Sequence, residues 1–340
     1  MNDTVRLSLD EVHALALEAL IANGFSRGQA RAIADIVTAA ERDLCGTHGL
    51  FRISFYLNAL NNPEVNPTAV PVVTELAPAV VHVDGGFGFA PLALEIGTGP
   101  LVEKARTQGI AALCLNNIYH IAALWPEVER IAEQGLAAFA FTAALPYVAP
   151  AGGTKPLYGT NPMAFAWPRK DQPPMVFDQA SSVSARGEIQ VHLRDGKPIP
   201  EGWAIGPEGE ATTDPEVALK GAQLAFGGHK GAAIALMVEL LAGALVGDLF
   251  SFEAAEKDAG TGAPLGGEFL IAIDPARCVR DGDRDKQLKH GEKLFQQILA
   301  QPGTRLPSER RYAARRRTPA EGVCIPRSLH HSLVAFTRES

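Results

Sequence analysis

Between residues 79 and 142 the chain alternates strand-like and helix-like patterns, and this alternation limits the folds open to it more than any other feature. Residues 79–83 (AVVHV) read as a strand, 84–88 (DGGFG) as a turn, 91–108 as a helix, 110–115 as a strand, 122–134 as a helix and 136–142 as a strand. Strands separated by helices of this length pair in parallel, so the pattern predicts βαβ units and a nucleotide-type fold. The glycine-rich turn fails the dinucleotide fingerprint, because GGFGFA lacks the G-x-G-x-x-G spacing and Asp84 stands before the glycines. A true Rossmann domain is therefore disfavoured.

Two helices open the chain. Ser8 with Glu11, and Ser26 with Gln29, have the spacing of reciprocal capping boxes, and Asn23-Gly24 ends the first helix. In the second, Ala30, Ile33, Ala34, Val37 and Ala40 form an apolar stripe at helical period. It runs into DLCGTHGLFR at 43–52. If the chain is helical from about Gly49, then His48, Arg52 and Tyr56 recur every four residues and share a face. An imidazole that exchanges protons near neutral pH then stands beside a guanidinium that grips carboxylates with two prongs, a pair suited to binding and protonating a small acid. The structural alternative is a packed histidine and a solvated charge.

The remainder supplies shaped loops and one long apolar run. Residues 61–78 are proline-punctuated, with a short strand at 70–73. Loops at 146–153 and 158–162 are dense in Gly and Pro, which fixes loop shape and suits them to binding or to a plain crossover. Strands at 163–167 and 175–177 lead into Asp178-Gln179-Ala180-Ser181-Ser182, small polar groups that either meet a ligand or cap a helix. Gly227-Gly228-His229-Lys230-Gly231 precedes the apolar run at 232–246; free N–H groups, helix dipole and lysine together make an anion site, unless the glycines merely turn the chain. The run is interrupted by Glu239 and is shorter than the ~20 residues of a membrane span, so it reads as a buried helix. Residues 248–262 read as an acidic, irregular, mobile loop, 268–273 as a strand and 284–300 as a helix. Arg305, Arg310, Arg311, Arg315, Arg316 and Arg317 read as a solvated helix face in preference to a phosphate site.

Composition narrows the function classes. With 340 residues the chain holds two or three domains, and its net charge of −7 argues against a general nucleic-acid role. Cysteines at 45, 114, 278 and 324 lie far apart with no C-x-x-C pair, which argues against a disulfide framework or a zinc site and fits a reducing cytoplasm. Acidic residues run through the first twenty positions where a signal peptide would be apolar, so neither secretion nor a membrane role is expected.

Taken together, THGLFR at 47–52, AALWPEVE at 122–129, PYVAPAGGTKPLYGTNPMAFAWPR at 146–169 and GGHKG at 227–231 resemble the malate/L-lactate dehydrogenase family that lacks a Rossmann domain. Nearly the whole chain is covered, and the long central motif points to the Δ1-piperideine-2-carboxylate/Δ1-pyrroline-2-carboxylate reductase branch. The resemblance implies an α+β fold in which a mostly antiparallel central sheet binds the nicotinamide cofactor and a helical domain is built from both chain ends. It also implies a homodimer with sites near the subunit interface. In numbers, 1–60 would be the helical N-terminal part, 61–118 a small α/β part, 119–288 the cofactor-binding domain and 289–340 a C-terminal part returning to the first helices.

The same resemblance implies an NADPH-dependent reductase of small cyclic imino acids, with NADH as a possible substitute and no metal. His48 would be the proton donor, supported by Thr47 and Glu188; Arg52 and Thr160 would bind substrate. His120, Ile121, Ala122, Ala123 and Leu124, then Asp178, Gln179 and Ala180, then His229 and Lys230, and finally residues around Arg305 and Ser308 match cofactor-contacting positions. Three departures stand out. Thr47 and Glu188 replace a usual serine and aspartate, and Ile118-Tyr119-His120-Ile121 replaces Ser-His-His-Phe, losing a hydroxyl and an imidazole. A dehydrogenase of 2-hydroxy acids such as malate or lactate is the nearest alternative, and a non-catalytic NADP-binding protein the alternative of another class.

Overall fold

The computed structural model describes residues 3–338. Its centre is a seven-stranded sheet whose strands lie in the order Val72–Ala77, Val80–Phe89, Ile110–Tyr119, Leu265–Ile273, Ala137–Thr142, Met163–Trp167, Met175–Gln179. Only Val80–Phe89 and Ile110–Tyr119 run parallel, joined by the helix Ala90–Gln108. Every other pairing in this sheet is antiparallel. The second βαβ unit expected from the alternation does not form, because Leu265–Ile273 inserts between Ile110–Tyr119 and Ala137–Thr142 and pairs with both. A strand from 120 residues downstream leaves no local signature, and so the expected α+β sheet, mostly antiparallel, replaces the parallel pattern. Ile110–Tyr119 also crosses position 118, so segments 61–118 and 119–288 share one sheet.

The chain ends meet as expected. Thr4–Leu7 pairs antiparallel with Val323–Pro326, and the helices Leu9–Ala22 and Arg27–Arg42 pack with the C-terminal helices over a core that includes Leu20, Ile33, Tyr56 and Leu333. Phe89 joins this core to the sheet, stacking on Phe25 and meeting Tyr56 edge-on. The Ser8–Glu11 capping box forms in both directions. The one at Ser26 is half-made: Ser26 accepts from the Gln29 N–H, but the Gln29 side chain instead donates to the Ala69 carbonyl and accepts from the Phe89 N–H.

Several boundaries shift for local reasons. The glycine-rich residues 84–88 are a bulge inside Val80–Phe89, with Gly86 and Phe87 at positive φ. A Cβ at Gly85 would lie 2.2 Å from Ile118 Cγ2, so this glycine serves sheet packing. The strand expected at 70–73 is Val72–Ala77, and the helix expected at 122–134 is Trp125–Ala132. The apolar run is an α-helix, His229–Glu239, that passes into a π-helix, Leu240–Leu245. The irregular loop expected at 248–262 contains a helix, Ser251–Lys257. In the basic helix Glu309–Glu321, Arg310, Arg316 and Arg317 are exposed as expected, but Arg315 is partly buried against Asp43 and Glu129, and Arg311 lies over the Trp125 ring. Among the described residues no helix is long and apolar enough to cross a membrane, and all four cysteines are free.

Candidate active site

His48 and Arg52 do not share an α-helix. They lie on two consecutive 3-10 turns, Gly46–His48 and Leu50–Arg52, before the helix Ile53–Ala59 begins. Gly49 separates the turns. The buried carboxylate of Glu41, on the second helix, accepts from the Leu50 N–H at 2.8 Å, and a Cβ on Gly49 would sit 2.1 Å from that carboxylate oxygen. The break in the helix is thus set by a carboxylate that only glycine lets approach. The loop then closes on itself: Arg52 Nε donates to the Thr47 carbonyl at 2.8 Å, and Thr47 Oγ1 lies 3.2 Å from His48 Nδ1.

The electrostatics follow from crowding. Burial first, then the positive charge of Arg52 and the nearby His120, lowers the pKa of His48 to about 4. Burial also lowers Arg52 and raises the Tyr56 phenol behind it. At neutral pH the unliganded site therefore holds a neutral imidazole beside a fixed cation.

Residues expected to bind cofactor come together in two groups. In the first, Asp178 Oδ2 accepts from the backbone N–H groups of Leu124 and Trp125, each at 3.0 Å, and so caps the helix Trp125–Ala132. This joins 120–124 to 178–180. Ser308 donates to the Val176 carbonyl and Arg311 donates to Ser308 Oγ at 2.6 Å, which brings the C-terminal segment to the same strand end. The second group gathers on Glu239, at the α-to-π transition. This buried carboxylate accepts from Asn161 Nδ2 at 2.8 Å, from the Ser251 N–H at 2.9 Å, from the Ser251 hydroxyl, and from the Gly159 N–H at 3.4 Å. Asn161 also donates to the Ala235 carbonyl, and the Thr160 carbonyl accepts from the Ser181 N–H at 2.7 Å. Thr160 is therefore clamped between the strand end near 178–180 and the helix that carries His229 and Lys230. Sequence reasoning saw Glu239 only as an interruption.

Other expected residues stand apart. His229, Lys230 and Arg305 are exposed and form no side-chain hydrogen bond or ion pair among the described residues. Added Cβ atoms at Gly227 and Gly228 would meet nothing within 4 Å, so the backbone at this helix start is open. Glu188 lies exposed in the helix Arg186–Arg194, without a side-chain partner among the described residues, and is not joined to His48. Of the two supports expected for His48, only Thr47 touches it. Ile118 and Tyr119 are buried, Ile118 against Gly85 and Tyr119 near Phe89, so the departures there serve packing. A groove of about 550 Å³ between Arg169, Leu288, Tyr312 and Arg315 contains none of these residues.

Two residues that sequence reasoning missed lie behind His120. Its Nε2 is 3.1 Å from Glu127 Oε1 and 3.6 Å from Glu268 Oε2, and all three side chains are buried. Burial raises both carboxyls, Glu268 the more strongly. The available signals were Glu127 within the otherwise apolar face of WPEVERIA and Glu268 opening the apolar run EFLIAI.

The model of the malate/L-lactate dehydrogenase family matches residues 7–334. The chain is 51% identical over 335 residues to Delta(1)-pyrroline-2-carboxylate reductase 2 of Burkholderia multivorans, covering 98% of both chains. It is 50% identical over 333 residues to the Delta(1)-pyrroline-2-carboxylate/Delta(1)-piperideine-2-carboxylate reductase of Pseudomonas aeruginosa, covering 98% of this chain and 99% of that one. The crystal structure of delta1-piperideine-2-carboxylate reductase from Pseudomonas syringae pathovar tomato superposes with a TM-score of 0.93 at 39% identity, covering 98% of this chain and all of the other.

Proposed function

The chain belongs to the malate/L-lactate dehydrogenase family, and on that premise we propose that it is an NADPH-dependent ketimine reductase. It reduces the C=N bond of Δ1-pyrroline-2-carboxylate to L-proline and of Δ1-piperideine-2-carboxylate to L-pipecolate. The observation that carries this reading is the Gly49-broken loop, which holds a neutral imidazole against a fixed guanidinium. It occurs in a chain half identical, over its full length, to reductases named for these acids.

The nicotinamide cofactor supplies the hydride that is delivered to C2. Arg52 binds the substrate carboxylate: its Nε is committed to Thr47, which leaves the two terminal nitrogens of the guanidinium for the acid. The Thr160 carbonyl is committed to Ser181, which leaves its hydroxyl for substrate. Thr47 meets His48 at Nδ1 and so leaves Nε2 as the nitrogen that shares a proton with the imine. A bound carboxylate offsets the Arg52 charge that helps hold His48 neutral, so the proton on His48 follows the substrate in. For the cofactor, the open helix start at Gly227 and Gly228 with His229 and Lys230 suits the pyrophosphate, and Lys230 with exposed Arg305 favours a 2′-phosphate. His120 to Leu124, Asp178 to Ala180 and Ser308 line the rest.

The enzyme works as a homodimer in the reducing cytoplasm. Leu236, Met237, Leu240 and Leu245 expose apolar side chains on one continuous helical stretch, a face suited to a second copy.

The test is to follow NADPH absorbance with Δ1-pyrroline-2-carboxylate and Δ1-piperideine-2-carboxylate, and separately with pyruvate and oxaloacetate, repeating each with NADH. Oxidation with the cyclic imines is expected. Oxidation with the keto acids alone would establish a 2-hydroxy acid dehydrogenase, and NADPH binding without turnover a non-catalytic protein. Arg52→Ala is expected to raise KM for the imine about 100-fold, and His48→Ala to lower kcat by about 10²–10⁴.

A further inference from the structure

Glu268 stands at a position the sheet reserves for apolar side chains. It shares a face with Leu270 and Ala272, which are buried in the main core. A β-bulge between Gly266 and Glu268 re-aims the strand there. A Cβ at Gly267 would lie 2.4 Å from the Ala242 carbonyl, so this strand and the π-helix pack too closely for any larger residue. Opposite Glu268, Glu127 projects from the first turn of Trp125–Ala132. The two carboxyl groups and His120 Nε2 lie within 4.8 Å of one another.

Taken as two carboxylates, the pair is not satisfied. Glu127 Oε2 and both Glu268 oxygens are buried without a hydrogen-bond partner, and a carboxylate can only accept. The one basic side chain paired with either of them, among the described residues, is His120. Two bare charges in this position would each carry a heavy desolvation penalty. A single proton removes the conflict: it turns one acid into a donor for the other and leaves one negative charge facing His120.

We propose that Glu127 and Glu268 hold one proton between them, with Glu268 as the acid and Glu127 as the carboxylate that receives His120 Nε2–H. They are thereby positioning residues for the reduction, acting through His120. The remaining groups facing the pair are Asp178, the Tyr56 phenol and Arg130; Asp178 opposes ionisation of Glu127 and Arg130 favours it. Fixing Nε2 as the donor sets the orientation of the ring and leaves Nδ1 as its other polar atom, at the head of the segment 120–124. It also holds the His120 ring in place near His48, whose proton affinity His120 lowers. The consequence for turnover rests on the reductase reading; the shared proton does not.

The test is infrared difference spectroscopy of the intact protein at pH 7 in D2O, together with the kinetics of Glu268→Gln, Glu127→Gln and Glu268→Ala. Wild type is expected to show the carbonyl stretch of one buried, protonated carboxyl that Glu268→Gln lacks. Glutamine can donate as the acid does, so Glu268→Gln should keep kcat within about twofold. Glu127→Gln should lower kcat at least 10-fold with little change in the substrate KM, and should shift the pH profile of kcat/KM. Glu268→Ala should resemble Glu127→Gln. Absence of the protonated-carboxyl band in wild type would overturn the proposal even if no variant folds. So would equal damage from the two glutamine variants, or one tightly held divalent cation per chain whose chelation abolishes activity. A wild type that shows the band yet reduces no cyclic imine would leave the shared proton standing and remove the reductase reading.

Discussion

Glu239 and Glu268 are both buried carboxyls, 4% and 0% exposed, and each sits one step behind residues assigned to substrate or cofactor. Their surroundings are opposite. Glu239 receives four donors from three residues and closes a network joining Gly159, Asn161 and Ser251 to its own helix. Glu268 receives none, and only another acid and an imidazole stand near it. A carboxylate that is fully solvated by protein donors is a structural fastener. One left with other titratable groups must exchange charge for a proton, which makes it responsive to pH and to what binds nearby. The same residue type thus fastens the loop at Thr160 and, in our proposal, holds the ring of His120 at the head of the segment 120–124.

The largest expected effect tests the fastener. Glu239→Ala orphans the buried Ser251 N–H and one N–H of the Asn161 amide, while Gly159 keeps Ser251 Oγ and the amide keeps the Ala235 carbonyl, and should cost about 3–5 kcal/mol of stability in urea unfolding. A loss below about 1 kcal/mol would mean that the network is incidental. Of the variant that still folds, a raised KM for the imine is expected, because Thr160 hangs on the same clamp.

The second test is a pH window. The Glu127–Glu268 pair keeps its shared proton in the fold well above the 4.5 at which either acid releases it in the unfolded chain, because burial raises both carboxyls, Glu268 the more strongly. Its contribution to stability is complete below about pH 4.5 and declines steadily as pH rises above it. His48 runs the other way: lowered from 6.5 to about 4, its contribution is present above 6.5 and is lost as pH falls toward 4. Of these two, only the pair acts above 6.5. Wild-type stability should decline there by up to about 1.4 kcal/mol per pH unit, and replacing both acids, Glu127→Gln with Glu268→Gln, should flatten the slope. A flat wild-type profile would erase the contrast with Glu239.

The contrast also explains what could be read in advance. Local rules sufficed for the Ser8–Glu11 cap, the first two helices and the single parallel pair, since each depends on residues a few positions apart. The motifs around His48, 146–169 and 227–231 pointed to the family. What escaped were interactions between distant segments: the insertion of Leu265–Ile273, the 78-residue step from Asn161 to Glu239, and the meeting of Glu127 with Glu268. Even the helical spacing of His48 and Arg52 misled, because Glu41 draws the chain into two short turns at Gly49. A carboxylate inside an apolar pattern was the one visible trace of both acid sites, and by itself it does not say whether donors or a proton will neutralise it.

A smaller effect comes from thinning the Glu239 network without breaking it. Ser251→Ala removes one of four donors and the closer acceptor of the Gly159 N–H, which keeps Glu239 at 3.4 Å, while Asn161 and the Ser251 N–H keep theirs, so the expected cost is about 1–2 kcal/mol. The smallest change is expected in the other acid. If Glu268 is already uncharged, Glu268→Gln exchanges a neutral donor for another of nearly the same shape. Neither buried charge nor cavity is created, so urea unfolding at pH 7 should shift by less than about 0.5 kcal/mol. The same exchange at Glu239 turns an NH2 group toward donors that need an acceptor and should cost several times more. Equal losses from the two glutamine variants would show that burial alone, and not the identity of the neighbours, decides how these carboxyls behave.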